Sequence, residues 1–142
     1  MTWNSYNLDK IAHDLVLEAR KTDPDSLNQS HKMRMAVAYG LERFWGEHLR
    51  LQTKEKDQAK SQYWKKTWDA LCDVMLKTGI ELPKDPVNAN KTSEIETVSA
   101  KIWALKTEDQ GFCLAVLTQL CDSIVWWTQR YKPNRGVNDG NS

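Results

Sequence analysis

Few residues in this sequence have the types and spacing that enzymatic chemistry requires. His13, His31 and His48 are far apart, and no glutamate is followed three residues later by a histidine, the pattern with which helical bundles hold two metal ions. Glycine-rich phosphate-binding patterns and the paired acidic motifs of magnesium-dependent helical pyrophosphatases are absent as well. The sequence therefore predicts no enzyme, no metal and no other cofactor. One alternative stays open, a helical enzyme whose site gathers His13, Glu18 and His48 from distant positions.

The cysteines also argue against catalysis. Cys72, Cys113 and Cys121 lie in apolar helical patterns, and no Cys-x-x-Cys motif is present. Cys113 and Cys121 are eight residues apart, about 12 Å along a helix, which is too far for a disulfide. We expect reduced, buried thiols in a cytoplasmic protein, with pKa values raised by their apolar surroundings. The chain shows no signal peptide and no apolar run of membrane-spanning length, so we expect no membrane association.

Two adjacent tryptophans stand out in the stretch "DSIVWWTQRYK", since neighbours on an α-helix point about 100° apart. When the residues from Phe112 onward are arranged at that spacing, Trp127 falls in the middle of the apolar arc. Trp126 falls on the polar side, close to Asp122 and Arg130. We therefore expect Trp127 to be buried in the core. Trp126 has three possible roles: to pack under another part of the chain, to contact another subunit, or to stack on a nucleotide base.

Basic residues are concentrated in one segment, although the formal net charge of the chain is only +1. From His31 to Lys66 there are nine Lys/Arg and four Asp/Glu, so this segment carries +5 and the remainder −4. A local excess of basic residues of this size most often lies on a helix face that is exposed to solvent.

Apolar residues recur at helical spacing through most of the chain. A first helix begins after an N-cap at Asn7 and ends at the breaker "DPD", residues 23–25. A second helix begins near Asn28 or Ser30 and has an inner stripe that reaches Leu51, with His48 in that stripe as a hydrogen-bonded core residue. Gly40 lies in that stripe and predicts a close helix crossing, since glycine otherwise weakens a helix by about 1 kcal/mol.

Residues 52–62 have little apolar character, and a continued helix, a joint and a loop remain open for them. A third helix carries Trp64 to Met75 and ends with a glycine cap at Gly79. The turn-rich stretch "IELPKDPVNANKT" then forms a linker. Two capping boxes predict the starts of a fourth and a fifth helix: Ser93 with Glu96, and Thr107 with Gln110.

These elements define the expected fold. No strand pattern or internal repeat is present, and 142 residues are typical of one domain. The sequence therefore predicts an all-α fold, a single-domain bundle of about five helices over residues 7–131. A disordered tail rich in glycine and asparagine is expected over residues 132–142.

The stretch "LTQLCDSIVWWTQRYK", Leu117 to Lys132, resembles the last helix of the small α-helical subunit of type III CRISPR–Cas effector complexes of the Cmr type. In that family a Leu-Thr pair is followed by a tryptophan and then by a basic residue beside an aromatic one. The matching positions here are Leu117-Thr118, Trp127 and Arg130-Tyr131.

The resemblance implies a non-catalytic role. Such subunits stack along the inner side of a helical ribonucleoprotein and help to hold the guide RNA with its target RNA, while other subunits cleave. The expected partners are thus other subunits of the effector complex, neighbouring copies of this chain, and the guide and target RNA backbones. Trp126 and Arg130 are the candidate subunit interface. The candidate RNA-binding residues are Arg43, Arg50, Lys54, Lys56, Lys60, Lys65 and Lys66. A helical adaptor unrelated to CRISPR remains the alternative.

Overall fold

Residues 7–132 are described by a computed structural model, and within them the chain forms six α-helices and no strand. The helices are α1 Leu8–Thr22, α2 Gln29–Ala36, α3 Leu41–Gln52, α4 Gln58–Leu76, α5 Thr92–Trp103 and α6 Thr107–Tyr131. The all-α prediction is confirmed, and the described helices number six, where the sequence predicted about five. Lys132 directly follows α6, and the rest of the predicted tail lies outside the described residues.

The additional helix arises because the predicted second helix is broken at Gly40. α2 ends at Ala36, a 3-10 turn covers Val37–Tyr39, and α3 begins at Leu41. Gly40 has φ 99° and ψ 172°, a conformation essentially restricted to glycine. Nothing lies within 4 Å of the place its Cβ would occupy. The prediction of a close helix crossing at Gly40 was therefore wrong, because this glycine redirects the backbone.

Residues 52–62 contain both a turn and the start of a helix. A 3-10 turn covers Glu55–Asp57, and α4 begins at Gln58. The side-chain amide of Gln58 donates to the backbone oxygens of Gln52, at 2.8 Å, and of Lys54, at 2.9 Å. These bonds close the turn between α3 and α4, which we call the α3–α4 turn, residues 53–57.

The C-terminal end of α4 has the predicted glycine cap. Gly79 has φ 90°, and its N–H donates to the oxygen of Leu76 at 3.0 Å. The N–H of Ile80 donates to the oxygen of Met75 at 3.1 Å, which completes a Schellman motif.

The linker after α4 is extended but anchored to the bundle. Trp68 Nε1 donates to the oxygen of Pro83 at 2.9 Å. The side chain of Gln52 donates to the oxygen of Val87 at 3.4 Å and accepts from the N–H of Ala89 at 2.8 Å. Gln52 thus supplies the donor and the acceptor that a neighbouring strand would supply.

The predicted helix starts were less accurate. α5 begins at Thr92 and α6 at Thr107, so the N-cap positions are Lys91 and Lys106, whose side chains make no capping bond. Neither capping box therefore forms, because both helices start one or two residues earlier than the boxes require. Asn7 does occupy the N-cap of α1, but its backbone is left-handed, with φ 60°, and its side chain makes no capping bond.

α6 is the helix around which the others are arranged, since it packs against α1, α2 and α4. α1 runs in the same direction as α6, because its contacts advance together along both helices: Asp9 with Trp127, and His13 with Tyr131. α2 runs in the opposite direction: Ser30 contacts Thr128, and Arg34 contacts Asp122. The inner residues of α6 are almost completely buried: Cys113, Val116, Leu117, Leu120, Cys121 and Ile124.

A chain of buried hydroxyl groups joins three of these helices. Thr128 Oγ1 on α6 donates to Ser30 Oγ on α2 at 2.6 Å. Ser30 Oγ lies 2.7 Å from the hydroxyl of Tyr63 on α4. Burial raises the pKa of Tyr63 to about 12. Nearby, Trp64 Nε1 donates to Gln29 Oε1 at 3.0 Å, so α2 is held to α4 by two buried polar contacts.

Among the described helices, α6 is long and apolar enough to cross a membrane, with a mean hydropathy of 1.2 over 18 residues. However, 39% of that window is buried inside the bundle. Core helices of globular proteins often meet the same criterion, so this property is weak evidence for a membrane span.

Candidate functional site

The side of α6 that faces away from the bundle carries polar and aromatic side chains. We call it the α6 outer face and define it as Gln119, Asp122, Ser123, Trp126, Gln129 and Arg130. Trp126 is 53% exposed there, which confirms its predicted position on the surface. An exposed tryptophan is informative, because large apolar side chains on a surface often mark a contact with a partner.

Trp126 is held in place by its neighbours on α6. The guanidinium carbon of Arg130 lies 4.8 Å from the centroid of the Trp126 ring and 5.1 Å from that of Trp127. The two indole rings meet edge to face, with centroids 4.9 Å apart and planes at 80°. These are cation–π and aromatic contacts of ordinary geometry. They restrict the Trp126 side chain before any partner binds, which lowers the entropy lost on binding.

An open groove of about 520 Å³ lies beside Trp126, lined by Asp9, Gln119, Asp122, Ser123, Trp126 and Trp127. Each of its carboxylates is oriented through one oxygen: Asp9 Oδ1 accepts from Trp127 Nε1 at 3.0 Å, and Asp122 Oδ1 accepts from Arg34 Nε at 2.6 Å. Neither second oxygen accepts a hydrogen bond from residues 7–132, so the groove presents carboxylate oxygens next to an indole. A guanidinium group suits such surroundings. Asp9 was not among the predicted residues, since no local pattern brings α1 to this position.

Trp127 lies at the edge of the core, although the sequence predicted it at the centre. Its ring packs edge to face against His13, with centroids 4.7 Å apart, and its indole N–H binds Asp9. The buried position at this end of α6 belongs to Thr128, whose hydroxyl donates to Ser30. A helical wheel treats threonine as polar and so shifts the apolar arc toward Trp127. The partner of the hydroxyl lies on another helix, so the sequence pattern does not show it.

His13 ties the last turn of α6 to α1. Its Nε2 lies 2.8 Å from the hydroxyl of Tyr131, and its Nδ1 lies 3.0 Å from Asp14 Oδ1. The Tyr131 ring stacks on Trp127 with centroids 6.2 Å apart. The pKa of Asp14 lies below its usual value, because Lys10 and then His13 donate hydrogen bonds to it. These contacts fix the end of α6, and with it the direction of the α6 outer face.

The predicted RNA-binding residues do not form one continuous face. Four of them form ion pairs in the structure: Arg50 with Glu47, Lys60 with Asp57, Lys65 with Asp69, and Lys66 with Glu18. Arg43 lies over the Tyr39 ring, 5.2 Å from its centroid. Lys54 and Lys56 are exposed in the α3–α4 turn, and neither has an ion-pair partner among the described residues. Of the predicted RNA-binding residues, Lys54 and Lys56 are therefore the ones that can reach an outside partner without breaking a contact within the described residues.

Lys65 and Lys66 lie on opposite flanks of α4. Lys65 faces the linker, where its Nζ lies 2.5 Å from Asp69 and 3.5 Å from the oxygen of Lys84. Lys66 faces α1 and pairs with Glu18. Reversing either charge would replace an ion pair of the chain by two neighbouring carboxylates, so these lysines are less direct probes of RNA binding than Lys54 and Lys56.

The residues of the enzymatic alternative are engaged separately. His48 is 3% exposed, its Nδ1 lies 2.5 Å from the oxygen of Trp45, and burial lowers its pKa. The prediction of a hydrogen-bonded core histidine is confirmed. Glu18 pairs with Lys66 beside a crevice of about 10 Å³ that neither His13 nor His48 lines.

The cysteines are free and buried, as the sequence predicted. Burial raises the pKa of Cys72 and of Cys121 to about 12, and that of Cys113 to about 11. At neutral pH these thiols are therefore protonated and weak as nucleophiles.

Within residues 7–132, no three His, Cys, Asp or Glu side chains come together in a way that could hold a metal ion. Comparison of the chain with protein-family models, curated proteins and solved structures finds no match. The contacts of the α6 outer face and the α3–α4 turn are therefore the observations from which a function can be inferred.

Proposed function

We propose that this chain is a non-catalytic helical subunit of a cytoplasmic RNA-guided complex, of the kind that its resemblance to Cmr-type small subunits implies. The observation that carries the proposal is the α6 outer face, where Trp126 is exposed and stacked by Arg130. Tryptophan and arginine are enriched among the residues that dominate protein interfaces. The rigid arrangement of these two side chains supports a contact with a neighbouring subunit. The proposed function involves no membrane.

The α3–α4 turn supports the second half of the proposal, contact with the RNA backbone. Lys54 and Lys56 are exposed and have no ion-pair partner within the described residues, so no local pair has to be broken before they reach a phosphate. Contacts of this kind add affinity without reading sequence, and their contribution falls as salt displaces the RNA counterions. Arg50 and Lys60 flank the same turn but are paired with Glu47 and Asp57, so the contact is assigned to Lys54 and Lys56.

The test is to rebuild an effector complex with each variant and to measure subunit stoichiometry and retention of target RNA. Trp126→Ala should reduce incorporation of this subunit, because it removes the exposed ring. Lys54→Glu with Lys56→Glu should leave incorporation intact and weaken RNA retention. Log affinity falls as log salt rises, and loss of two phosphate contacts should make this negative slope less steep by roughly 1.4 to 1.8.

A matched control separates local contact from overall charge. Lys77→Glu with Lys106→Glu changes the net charge equally, and both lysines are exposed without an ion-pair partner among the described residues. The control should retain RNA like the unmodified subunit. Equal losses from both double variants would leave only a general charge effect and would remove the α3–α4 turn from the proposal.

A protein-interaction adaptor unrelated to CRISPR is the second candidate. It is favoured by further apolar side chains that the described surface exposes: Met35, Tyr39, Leu76 and Trp103. Genes for CRISPR effector subunits beside the gene for this chain would favour the first proposal. An adaptor would bind its partner without RNA, and that binding would not change when the charges of Lys54 and Lys56 are reversed.

A further inference from the structure

The α6 outer face has a symmetric arrangement of charge about Trp126. Asp122 lies four residues before this tryptophan and Arg130 four residues after it. Ser123 and Gln129 lie three residues before and after it. Residues three and four apart share one side of a helix, so all these side chains lie around the exposed ring. The order along the helix is therefore carboxylate, indole, guanidinium.

We propose that this face binds the same face of a second copy of the chain, with the two α6 helices antiparallel and Trp126 on the twofold axis. The inference rests on the proposed role of the face as a protein contact and names its occupant. In an antiparallel pair with this axis, each residue faces the one equally distant on the other side of Trp126. Arg130 of each copy then meets Asp122 of the other, and Ser123 meets Gln129. Such self-complementarity is what an isologous interface requires.

The groove beside Trp126 provides the place for the incoming guanidinium. Its two carboxylates, Asp9 and Asp122, are each oriented by one hydrogen bond, to Trp127 and to Arg34 respectively. Their other oxygens border an open volume of about 520 Å³, enough for an arginine side chain and the edge of an indole. Arg130 does not line the groove of its own copy, so this volume is open to the Arg130 of another.

The other charges near the face do not oppose this pairing. Arg34 borders the face and is neutralised by its pair with Asp122. Lys10 is paired with Asp14. With Arg34 paired to Asp122, the groove of each copy keeps one net negative charge, which the Arg130 of the other copy balances.

The contact is small, so the association should be weak. From Gln119 to Arg130 the face is about 16 Å long, roughly three helical turns. One helix face of this length buries less than the about 800 Å² per partner of a standard interface, so we expect a Kd on the order of 10 µM. Because both halves of a symmetric dimer carry any substitution, Trp126→Ala should raise the Kd at least about thirtyfold.

Sedimentation equilibrium of the purified full chain, without RNA or other subunits, measures this directly. The unmodified chain should shift from monomer to dimer as its concentration rises from about 2 to 200 µM, given the expected Kd. At about 20 µM, where more than half of the unmodified chain should be dimeric, Trp126→Ala should be about nine-tenths monomeric. Trp103→Ala is the matched control, since Trp103 is 66% exposed on α5, and it should dimerise normally. Far-UV circular dichroism establishes that each variant is folded.

A charge exchange tests whether Asp122 and Arg130 lie in the contact. Arg130→Glu alone sets the new glutamate of each copy against Asp122 of the other. Asp122→Arg alone sets the new arginine of each copy against Arg130 of the other. Each variant should therefore be monomeric. An equimolar mixture of the two should dimerise, because both cross-pairs are then attractive. Rescue in the mixture therefore shows that these two positions lie in the contact. The orientation follows from the unmodified chain, because a parallel pair of unmodified copies would set Asp122 against Asp122 and Arg130 against Arg130.

The proposal fails if the unmodified chain stays monomeric at about 200 µM, well above the expected Kd, or if the mixture associates no better than its components. A larger oligomer instead of a dimer would also overturn it, because an isologous contact closes at two copies. These outcomes are independent of the proposed function. A monomeric chain whose Trp126→Ala variant still fails to enter the effector complex would refute the dimer and leave the subunit role standing.

Discussion

Replacing Ser30 by alanine tests the buried hydroxyl chain that joins α2 to α4 and α6. Ser30 is completely buried and lies between the hydroxyls of Thr128, at 2.6 Å, and Tyr63, at 2.7 Å. The substitution removes a single oxygen atom and leaves the packing nearly unchanged. Its main effect is therefore to take the shared partner from two other buried hydroxyl groups.

The expected loss follows from those two groups. A buried polar group that loses its partner destabilises a fold by about 1–3 kcal/mol, which sets about 2–6 kcal/mol for the pair. Both hydroxyls lie within 2.7 Å of the same Ser30 oxygen, so a small shift lets them bind each other once Ser30 is gone. We therefore expect a loss of about 2–3 kcal/mol in the free energy of unfolding, near the lower end of that range.

Urea denaturation at neutral pH provides the measurement, with an unchanged m value as the sign that the unfolded state is unaffected. Tyr63→Phe and Thr128→Val are the matched variants, since each removes one end of the chain and leaves Ser30 with one partner. Each should lose about 1 kcal/mol. The triple variant should lose less than the sum of the single losses, because it leaves no hydroxyl unpaired. The hydroxyl chain would be refuted if Ser30→Ala lost less unfolding free energy than either end variant. Strict additivity of the three single losses in the triple variant would also refute it.

Other substitutions test the remaining placements. Trp68→Ala removes a completely buried ring and should lose about 3–5 kcal/mol in chemical denaturation, whereas Trp127→Ala should lose about 2 kcal/mol; equal losses would contradict the edge position of Trp127. Because burial lowers the pKa of His48, the unfolded state takes up the proton first, so stability should fall below about pH 6.5, by at most about 1.4 kcal/mol per pH unit. His48→Asn should flatten that slope in thermal unfolding, and exposed His31→Asn should not. Gln52→Ala should speed amide hydrogen exchange in the linker while lowering global stability by only about 1–2 kcal/mol; unchanged exchange would show that this side chain does not anchor it.

The spacing of apolar residues was sufficient to predict a helix and its buried side wherever that side is buried along the whole helix. α4 shows this best, because Trp64, Trp68 and Met75 share a side that is nearly or completely buried. The cap at Gly79 was also predictable, since a positive φ at the end of a helix favours glycine. In both cases the determining interactions lie within one helix or its immediate end.

The errors share a different origin, which is contact between distant parts of the chain. Gly40 continues the apolar spacing of its segment, yet the backbone there turns to bring α3 against α4. Thr128 appears polar in the sequence but is buried, because Ser30 accepts its hydrogen bond. Gln52 appears to be an ordinary surface residue, and its partners lie in the linker more than thirty residues away. No local pattern contains the partner in any of these cases.

The α6 outer face combines both kinds of information. The exposure of Trp126 and the even spacing of Asp122 and Arg130 about it follow from helical geometry and could be predicted. The orientation of the carboxylates could not, because Asp9 and Arg34 come from α1 and α2. Folding explains the buried side of α6 without Trp126, since a polar residue there would serve the helix as well. A half-exposed indole fixed by Arg130 therefore points to an interaction outside the chain, and its charged neighbours limit the partners that fit.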